Sequence, residues 1–283
     1  MDRVPPTGLV LAAVASVQFG AALAKTLFDD LGPGGTVFLR VLFAAMVLVA
    51  LWRPRVGGRA RRELILIAAF GVSVAAMNLS FYGALDRIPL GVAVTFEFVG
   101  PLGVAVVGSR RALDLLWALL AAAGILLLSD FGDFGGLDTG GVGLALLAGG
   151  FWAAYILLSA RIGRLFPGGG GLALAMVAAS ALLIPVGVAD GGGALLRPEL
   201  LAIGAAVAML SSAIPYSLEL ESLRRLPEAV FGVLMSLEPA AAALAGFVVL
   251  GQDLRARELV AILLVVLASA GAARGAPAAP RDA

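Results

Sequence analysis

Long apolar stretches alternate with short segments rich in charge, glycine and proline along the whole chain of 283 residues. A helix rises 1.5 Å per residue, so about 20 apolar residues are needed to cross ~30 Å of hydrocarbon. No stretch alternates apolar and polar residues with a period of two, as a membrane β-barrel would require. The pattern therefore predicts an all-α, polytopic membrane protein. Its ten predicted transmembrane helices cover residues 7–28, 34–52, 63–84, 90–108, 113–129, 139–159, 171–189, 201–220, 229–250 and 257–273.

One segment of the chain recurs 138 residues later. Residues 85–101 read LDRIPLGVAVTFEFVGP, and residues 223–239 read LRRLPEAVFGVLMSLEP. Both begin with Leu, any residue, Arg, any residue, Pro, and both close an apolar run with a second proline at the same spacing. Paired, interrupted helices in corresponding halves of an apolar chain are typical of secondary transporters whose binding site lies at the bilayer midplane.

Arginine is distributed unevenly among the predicted loops. Fourteen arginines lie at the two termini or in every second loop, whereas the intervening loops hold only four. Because positively charged loops stay on the cytoplasmic side, both termini are predicted to be cytoplasmic. Merging or missing one helix would put all later loops out of phase, so the same alternation supports ten spans.

Five spans in each half require the two halves to enter the membrane from opposite sides. We therefore predict two inverted five-helix repeats, residues 1–129 and 139–273, related by a pseudo-twofold axis in the membrane plane. The remaining tail, residues 274–283, is predicted to be disordered. Residues 22–24 resemble a signal-peptide cleavage site, but cleavage would leave nine helices, so the first apolar stretch is interpreted as a span.

The composition limits the chemistry that the chain can perform. Hydrophobic residues make up 61% and charged residues 14% of it, the mean hydropathy is +1.02, and there is neither Cys nor His. A Ser–His dyad or a His-ligated zinc site is therefore impossible, and every Asp lies in a loop or at a helix end. An intramembrane enzyme is disfavoured, and no metal or cofactor is predicted. The continuous polar stripe expected of a channel is not visible either.

Five polar residues lie at a similar depth in the outer half of the first repeat. Ionisable groups inside a bilayer cost about 2.5 to 3.5 kcal/mol each on insertion scales, so they usually have a role. A guanidinium or ammonium can pair with a substrate carboxylate while a glutamate accepts from the substrate ammonium, which would suit a zwitterion. The competing interpretation is structural. Glu97 would form an ion pair with Arg40 or Lys25. Asn78 would form a hydrogen bond between helices, and Tyr82 would be an aromatic residue at the membrane interface. The candidate substrate-binding residues are Lys25, Arg40, Asn78, Tyr82 and Glu97.

Glu238 stands in the middle of the ninth span, directly before Pro239, whereas the matching position of the first repeat is Gly100. An isolated carboxylate inside a bilayer is suited to taking up and releasing a proton, so Glu97 and Glu238 are candidate coupling residues. Alternatively, Glu238 caps backbone donors that the proline has freed. Pro101 and Pro239 each remove an amide donor and Gly100 loosens span four, which would expose backbone polar groups to a substrate.

The inner half of the bundle is predicted to hold a smaller polar group. Tyr155 and Tyr216, and with them Glu219, are candidate gate residues on the cytoplasmic side, as inverted counterparts of the outer group. Glu219 stands near the end of the eighth predicted span, so it is expected at the level of the lipid headgroups.

Three segments of the first repeat resemble a known family. Residues 16–28 (SVQFGAALAKTLF), 38–45 (FLRVLFAA) and 77–111, which contain IPLGVAVTFEFVGPL, are similar to the threonine and homoserine exporters of the EamA branch of the drug/metabolite transporter superfamily. The general layout matches over nearly the whole chain, and the closer match lies in the first four spans. The resemblance implies ten helices in two inverted repeats, a location in the bacterial inner membrane, and export of small amino acids against inward proton movement.

The sequence therefore predicts a secondary transporter that exports threonine- or homoserine-like amino acids by alternating access. Its predicted partners are an amino acid, protons and the lipid bilayer, with no nucleic acid. A relative that carries another solute, such as a nucleobase, a sugar derivative or a drug, explains the same features, and only the FEFVGP region argues against it.

Overall fold

The computed structural model contains helices and no strand in the part of the chain that it describes. The described residues are 4–55, 57–85, 87–88, 93, 96–109, 111–128, 138–238, 241 and 256–275. The helices are α1 Pro6–Lys25, α2 Phe28–Trp52, α3 Arg61–Leu85, α4 Val99–Gly108, α5 Ala112–Leu128, α6 Thr139–Leu165, α7 Gly170–Gly191, α8 Pro198–Ala208, α9 Ile214–Leu223, α10 Glu228–Met235 and α11 Ala256–Gly275.

Each predicted span corresponds to a helical segment among the described residues. Helices α8 and α9 and the π turn between them, Met209–Ala213, form one rod, Pro198–Leu223, which is the eighth span. α10 covers the beginning of the ninth span. The prediction of an all-helical chain is confirmed. In the part of the chain that the structure describes, five segments are by themselves long and apolar enough to cross a membrane, namely Phe28–Trp52, Arg61–Ala84, Thr139–Leu165, Gly170–Leu196 and Pro198–Leu223.

Local sequence signals explain where two of the helices begin. α2 starts at Phe28, earlier than the predicted 34, because a short helical turn precedes a break in the backbone. Gly32 has φ 64° and ψ 172°, and Pro33 follows it, so the regular helix starts again at that point. α6 starts after Asp138, whose Oδ1 accepts a hydrogen bond from the amide of Gly141 at 2.6 Å.

Helices from the two halves of the chain pack against each other. α2 packs along α7, α4 along α10, and α5 along α11. α1 packs along the rod of α8 and α9, α3 packs along α6 and α7, and α2 also contacts α8. Large buried side chains at these contacts, including Phe70, Phe98, Tyr155 and Phe231, belong to one main hydrophobic cluster.

The outer surface of the helices is apolar as well. A soluble protein rarely exposes a continuous apolar surface, whereas lipid covers such a surface in a membrane. On α5 and α11 the exposed large side chains recur at helical spacing, so each helix presents an apolar stripe to the bilayer. These side chains are Leu116, Leu119 and Leu126 on α5 and Leu259, Leu263 and Leu267 on α11.

Some of the predictions lie outside the described residues. They concern Pro239, the side chain of Lys25, and residues 276–283 of the predicted disordered tail. α11 ends at Gly275, just beyond the predicted end of the tenth span at 273.

Candidate functional site

Arg40 on α2 and Asn78 on α3 form the first part of a buried polar cluster. Their exposed fractions are only 9% and 6%. A guanidinium N–H of Arg40 donates a hydrogen bond to Oδ1 of Asn78. Nδ2 of Asn78 donates to the carbonyl of Val74, one turn earlier, at 2.7 Å, which fixes the orientation of the amide. Nε of Arg40 has no hydrogen-bond partner among the described residues, so one donor of the guanidinium remains available to a ligand.

Tyr82 lies beside the same guanidinium. Its ring centroid is 5.8 Å from Cζ of Arg40, and Phe28 packs edge-on against the ring at a centroid distance of 5.4 Å. A cation at this distance from an aromatic ring is attracted by the ring quadrupole. The structure thus brings together three of the five predicted outer residues: Arg40, Asn78 and Tyr82.

Glu97 is the fourth outer residue, and it lies two residues before α4 begins at Val99. It is 9% exposed and lies within electrostatic range of Arg40 and Glu238. Within the described part of the chain, no direct ion pair joins Glu97 to Arg40 or to another cation. Glu97 and Arg40 therefore interact electrostatically without forming a direct ion pair in the described part of the chain.

A close contact between α4 and α6 sets the position of Glu97. A Cβ atom on Gly100 would overlap the carbonyl oxygen of Gly149, and a Cβ atom on Gly149 would lie 2.5 Å from the carbonyl oxygen of Glu97. Only glycine permits this approach of the two backbones. The rings of Phe98 and Trp152 pack beside it with centroids 4.9 Å apart.

Gly100 and Pro101, predicted to interrupt span four, lie in the first turn of α4. Phe98 is a turn residue between the helical Glu97 and the start of α4 at Val99. Amides in a first turn have no partner within the helix, so Pro101 costs no hydrogen bond there. The regular helix is thus interrupted one residue after Glu97.

The inner gate candidates Tyr155 and Tyr216 lie against each other. Tyr155 is 1% exposed, and its ring centroid is 5.3 Å from that of Tyr216 and 5.3 Å from that of Phe70. Its hydroxyl donates a hydrogen bond of 2.7 Å to Oε2 of Glu219. Glu219 is only 4% exposed, so it is buried among the helices, which its predicted place near the end of a span did not indicate. The rod of α8 and α9 continues to Leu223, which leaves Glu219 inside the bundle beside α6.

The outer and inner groups are continuous with each other. The side chain of Tyr216 interacts with Asn78 and lies within electrostatic range of Arg40. We call the resulting set the polar column. It consists of Tyr82, Arg40, Asn78, Tyr216, Tyr155 and Glu219.

Glu238, the candidate coupling residue of span nine, lies beside the polar column. It is partly buried and within electrostatic range of Glu97 and Glu219. Its backbone carbonyl accepts a hydrogen bond from Nε2 of Gln18 at 3.3 Å. The role of Gln18 was not predicted, although an amide in the middle of an apolar span is a visible signal.

The π turn between α8 and α9 adds unpaired hydroxyls to this region. Ser211 and Ser212 are 4% and 0% exposed, and their hydroxyls have no partner among the described residues. Gly20 of α1 packs directly on Ser211, and the hydroxyl of Ser16 donates to the carbonyl of Leu210 at 2.7 Å. No group of residues that could hold a metal ion is found in the described part of the chain.

Comparison with known proteins gives relatives over nearly the whole length of the chain. Residues 139–274 match the EamA-like transporter family. Two curated proteins, from Salmonella typhimurium and Escherichia coli (strain K12), are 40% identical over 267 residues, which cover 94% of this chain and 90% of each relative. Both relatives are named threonine/homoserine exporter RhtA.

A solved crystal structure of another protein has the same fold. The TM-score is 0.78, and the match covers 94% of this chain and 96% of the other. At 18% sequence identity, this similarity concerns the arrangement of helices alone.

Proposed function

Because this chain belongs to the EamA-like transporter family, we propose that it exports threonine, homoserine and similar small amino acids. It is a multi-pass protein of the bacterial inner membrane. One observation carries the proposal: Arg40 and Glu97 are buried near each other, Arg40 keeps an unpaired Nε, and no direct ion pair neutralises the two charges in the described part of the chain. The name of the relatives supplies the substrate class.

The site offers opposite charges to the two ends of an amino acid. Arg40 pairs with the substrate carboxylate, because a guanidinium presents parallel donors that match carboxylate geometry. Asn78 and Tyr82 hold that guanidinium in place through a hydrogen bond and a ring contact. Glu97 accepts from the substrate ammonium. Burial makes these interactions stronger than they would be in water.

We also propose that the two halves of the chain are inverted repeats. A shift of 138 residues carries α3, Arg61–Leu85, onto residues 199–223, which the rod Pro198–Leu223 covers. The same shift pairs Asn78 with Tyr216, which interact with each other in the polar column. Exchanging each span with the span five places later also maps the main helix contacts onto one another: the pairing of α3 with α6 corresponds to that of α1 with the rod, and α2 with α7, α4 with α10 and α5 with α11 each correspond to themselves. Two inverted halves around a shared site give alternating access by rocking of one half against the other, with both termini in the cytoplasm.

Proton coupling completes the proposal. Among the buried or partly buried charged groups described near the column, three are carboxylates, Glu97, Glu219 and Glu238, and Arg40 is the cation. Full ionisation would leave excess negative charge in a medium that solvates charge poorly, so a proton or a substrate ammonium must balance it. Exchange of protons for substrate follows from competition of the two for Glu97 and Glu238.

Efflux measurements with a panel of solutes test the proposed substrate. Cells that lack their own amino-acid exporters are loaded with labelled threonine, homoserine, leucine or a nucleobase, with and without the transporter. We expect faster efflux of threonine and homoserine, and no faster efflux with the E97Q variant. Efflux of the nucleobase alone would reject the amino-acid assignment in favour of another solute of the same superfamily.

A further inference from the structure

Glu219 is a buried carboxylate that the proposed substrate site does not use. Its only hydrogen bond in the described part of the chain comes from the hydroxyl of Tyr155, at 2.7 Å. It makes no ion pair with a cation of the described residues. Two residues further on, Glu221 pairs with Arg224 at 2.8 Å and also with Arg225. The same short helix thus carries one glutamate with cationic partners and one without.

Among the described side chains, the elements packed against α9 place no cation in contact with Glu219. They are α1, α6, α7, α10 and the π turn. α1 has no charged residue before Lys25, and α7 has only Asp190, which accepts a hydrogen bond from the amide of Gly34 at 2.9 Å. On α6, Arg161 is exposed, and Arg164 pairs with Glu228 of α10 at 3.1 Å. The titratable groups that face Glu219 are Tyr155, Tyr216 and Glu238.

Tyr155 ties this carboxyl to the inner part of the bundle. Its ring is held between Phe70 of α3 and Tyr216 of α9, and its hydroxyl reaches across from α6. Opening the bundle between α6 and α9 must therefore break the 2.7 Å hydrogen bond and let water reach Glu219. We call this contact between Tyr155 and Glu219 the latch.

We propose that Glu219 carries a coupling proton and that the latch closes the cytoplasmic side of the transporter when Glu219 is protonated. This inference rests on the proposed alternating-access function. In the closed, dry state, the ionised form of a carboxyl without a cationic partner is high in free energy. Water lowers that free energy when the bundle opens. Closing therefore favours the neutral acid. On opening, the carboxyl O–H bond breaks, the proton passes to cytoplasmic water, and the carboxylate stays behind.

The sign of the pH dependence follows from this linkage. Protons bind more tightly to the closed state than to the open state, so acid favours closing and alkali favours opening. With one proton involved, the ratio of open to closed protein changes by up to about tenfold per pH unit.

A single engineered cysteine can report the opening, because the natural chain contains no cysteine. Ser159 is the position of choice: it lies one turn after Tyr155 on α6 and is 0% exposed, and its hydroxyl has no partner in the described part of the chain. The rate at which a membrane-impermeant maleimide labels S159C is measured in inside-out vesicles between pH 6 and pH 8, corrected for the reactivity of a free thiol. We expect the corrected rate to rise with pH, by up to about tenfold per unit.

Variants of the latch separate this role from a purely structural one. E219Q keeps the shape of the neutral acid, so S159C with E219Q should label slowly at every pH. Y155F removes only the hydroxyl, so labelling at pH 6 should become faster. E221Q is the matched control on the same helix and should behave like its parent.

The proposal is overturned if labelling of the parent does not depend on pH, or if E219Q keeps the pH dependence of the parent. Should S159C fail to insert, S212C replaces it, because Ser212 is equally buried one turn before Tyr216. The labelling needs no substrate. If the unmodified transporter does not export threonine but the parent S159C still labels in a pH-dependent way, the proposed substrate is rejected and the latch is kept. If the transporter exports threonine but the labelling does not depend on pH, the latch alone is rejected.

Discussion

At the scale of single residues, the environment of Arg40 is specific for a guanidinium. One N–H donates a hydrogen bond to Asn78, the planar group lies beside the ring of Tyr82, and the buried Nε has no hydrogen-bond partner among the described residues. A lysine ammonium has the same charge but cannot present several donors in one plane. Charge alone should therefore not suffice at this position.

Replacing Arg40 with lysine tests this requirement. We expect R40K to insert normally and to export threonine with an efficiency lower by about 10- to 100-fold, because one or two charge-assisted hydrogen bonds are lost. R161K, at an exposed position of α6, makes the same exchange away from the column and should export normally. Unchanged efflux kinetics of R40K would place the substrate carboxylate elsewhere.

Removing the charge of Glu97 should have a larger effect. E97Q keeps the shape of the side chain but removes the charge that attracts the substrate ammonium, so export should be abolished while the protein still reaches the membrane. Efflux and membrane content are measured together. E199Q, in the exposed first turn of α8, is the control. Normal efflux by E97Q would remove Glu97 from the site.

Glu238 is expected to act on coupling rather than on binding. E238Q cannot exchange a proton, so vesicles that contain it should lose uphill transport driven by a pH gradient. Exchange of labelled for unlabelled substrate needs no net proton movement and should persist. If uphill transport keeps its normal pH dependence in E238Q, another carboxyl carries the proton.

The sequence predicted several members of the polar column but not the burial of Glu219. Arg40, Asn78 and Glu97 were identified because polar groups inside apolar spans are rare. The depth of Glu219 was inferred from a span that ended at 220, whereas the rod continues to Leu223. A hydropathy pattern gives the length of a span only to within a turn, and one turn decides whether a glutamate near a helix end is hydrated.

At the scale of helices, the π turn shows why the packing could not be predicted. Pro215 is the second residue after the turn, and in a regular helix its ring would clash with the carbonyl four residues earlier, that of Ser211. A helix can relieve such a clash by widening locally into a π turn. The proline was visible in the sequence, but a kink, a break and a π turn are all possible responses to it.

The contact between α4 and α6 gives a prediction at the same scale. G149A should destabilise the protein by about 1 to 3 kcal/mol, because the new methyl group presses on the carbonyl of Glu97 and forces the helices apart. G150A, the next residue, has open space around its Cβ position and should be neutral, or more stable by up to ~1 kcal/mol, since alanine favours helix. Thermal unfolding in detergent compares the two. Equal melting temperatures would contradict the close contact.

At the scale of the whole molecule, hydropathy predicts the number of helices, but it does not predict which helices pack against each other. Apolar length is a property of each segment alone, so the spans could be counted one by one. Which helices pack together depends on shape, as where Gly100 meets Gly149 and Gly20 meets Ser211. In a chain this rich in alanine and glycine, the sequence does not show which small residues lie at helix contacts.

The inverted repeat makes a prediction about the two faces of the membrane. If the two halves are inverted repeats, α2 and α7 are equivalent helices, and their carboxyl ends should lie on opposite sides of the membrane. Gly57 follows α2 and Gly193 follows α7, and nothing lies within 4 Å of the Cβ position of either, so cysteine fits both without disturbing the packing. In intact cells an impermeant maleimide should label G193C but not G57C, and in inside-out vesicles the preference should reverse. Labelling of both from one face would mean that the halves run parallel, and alternating access about an axis in the membrane plane would then be excluded for this chain.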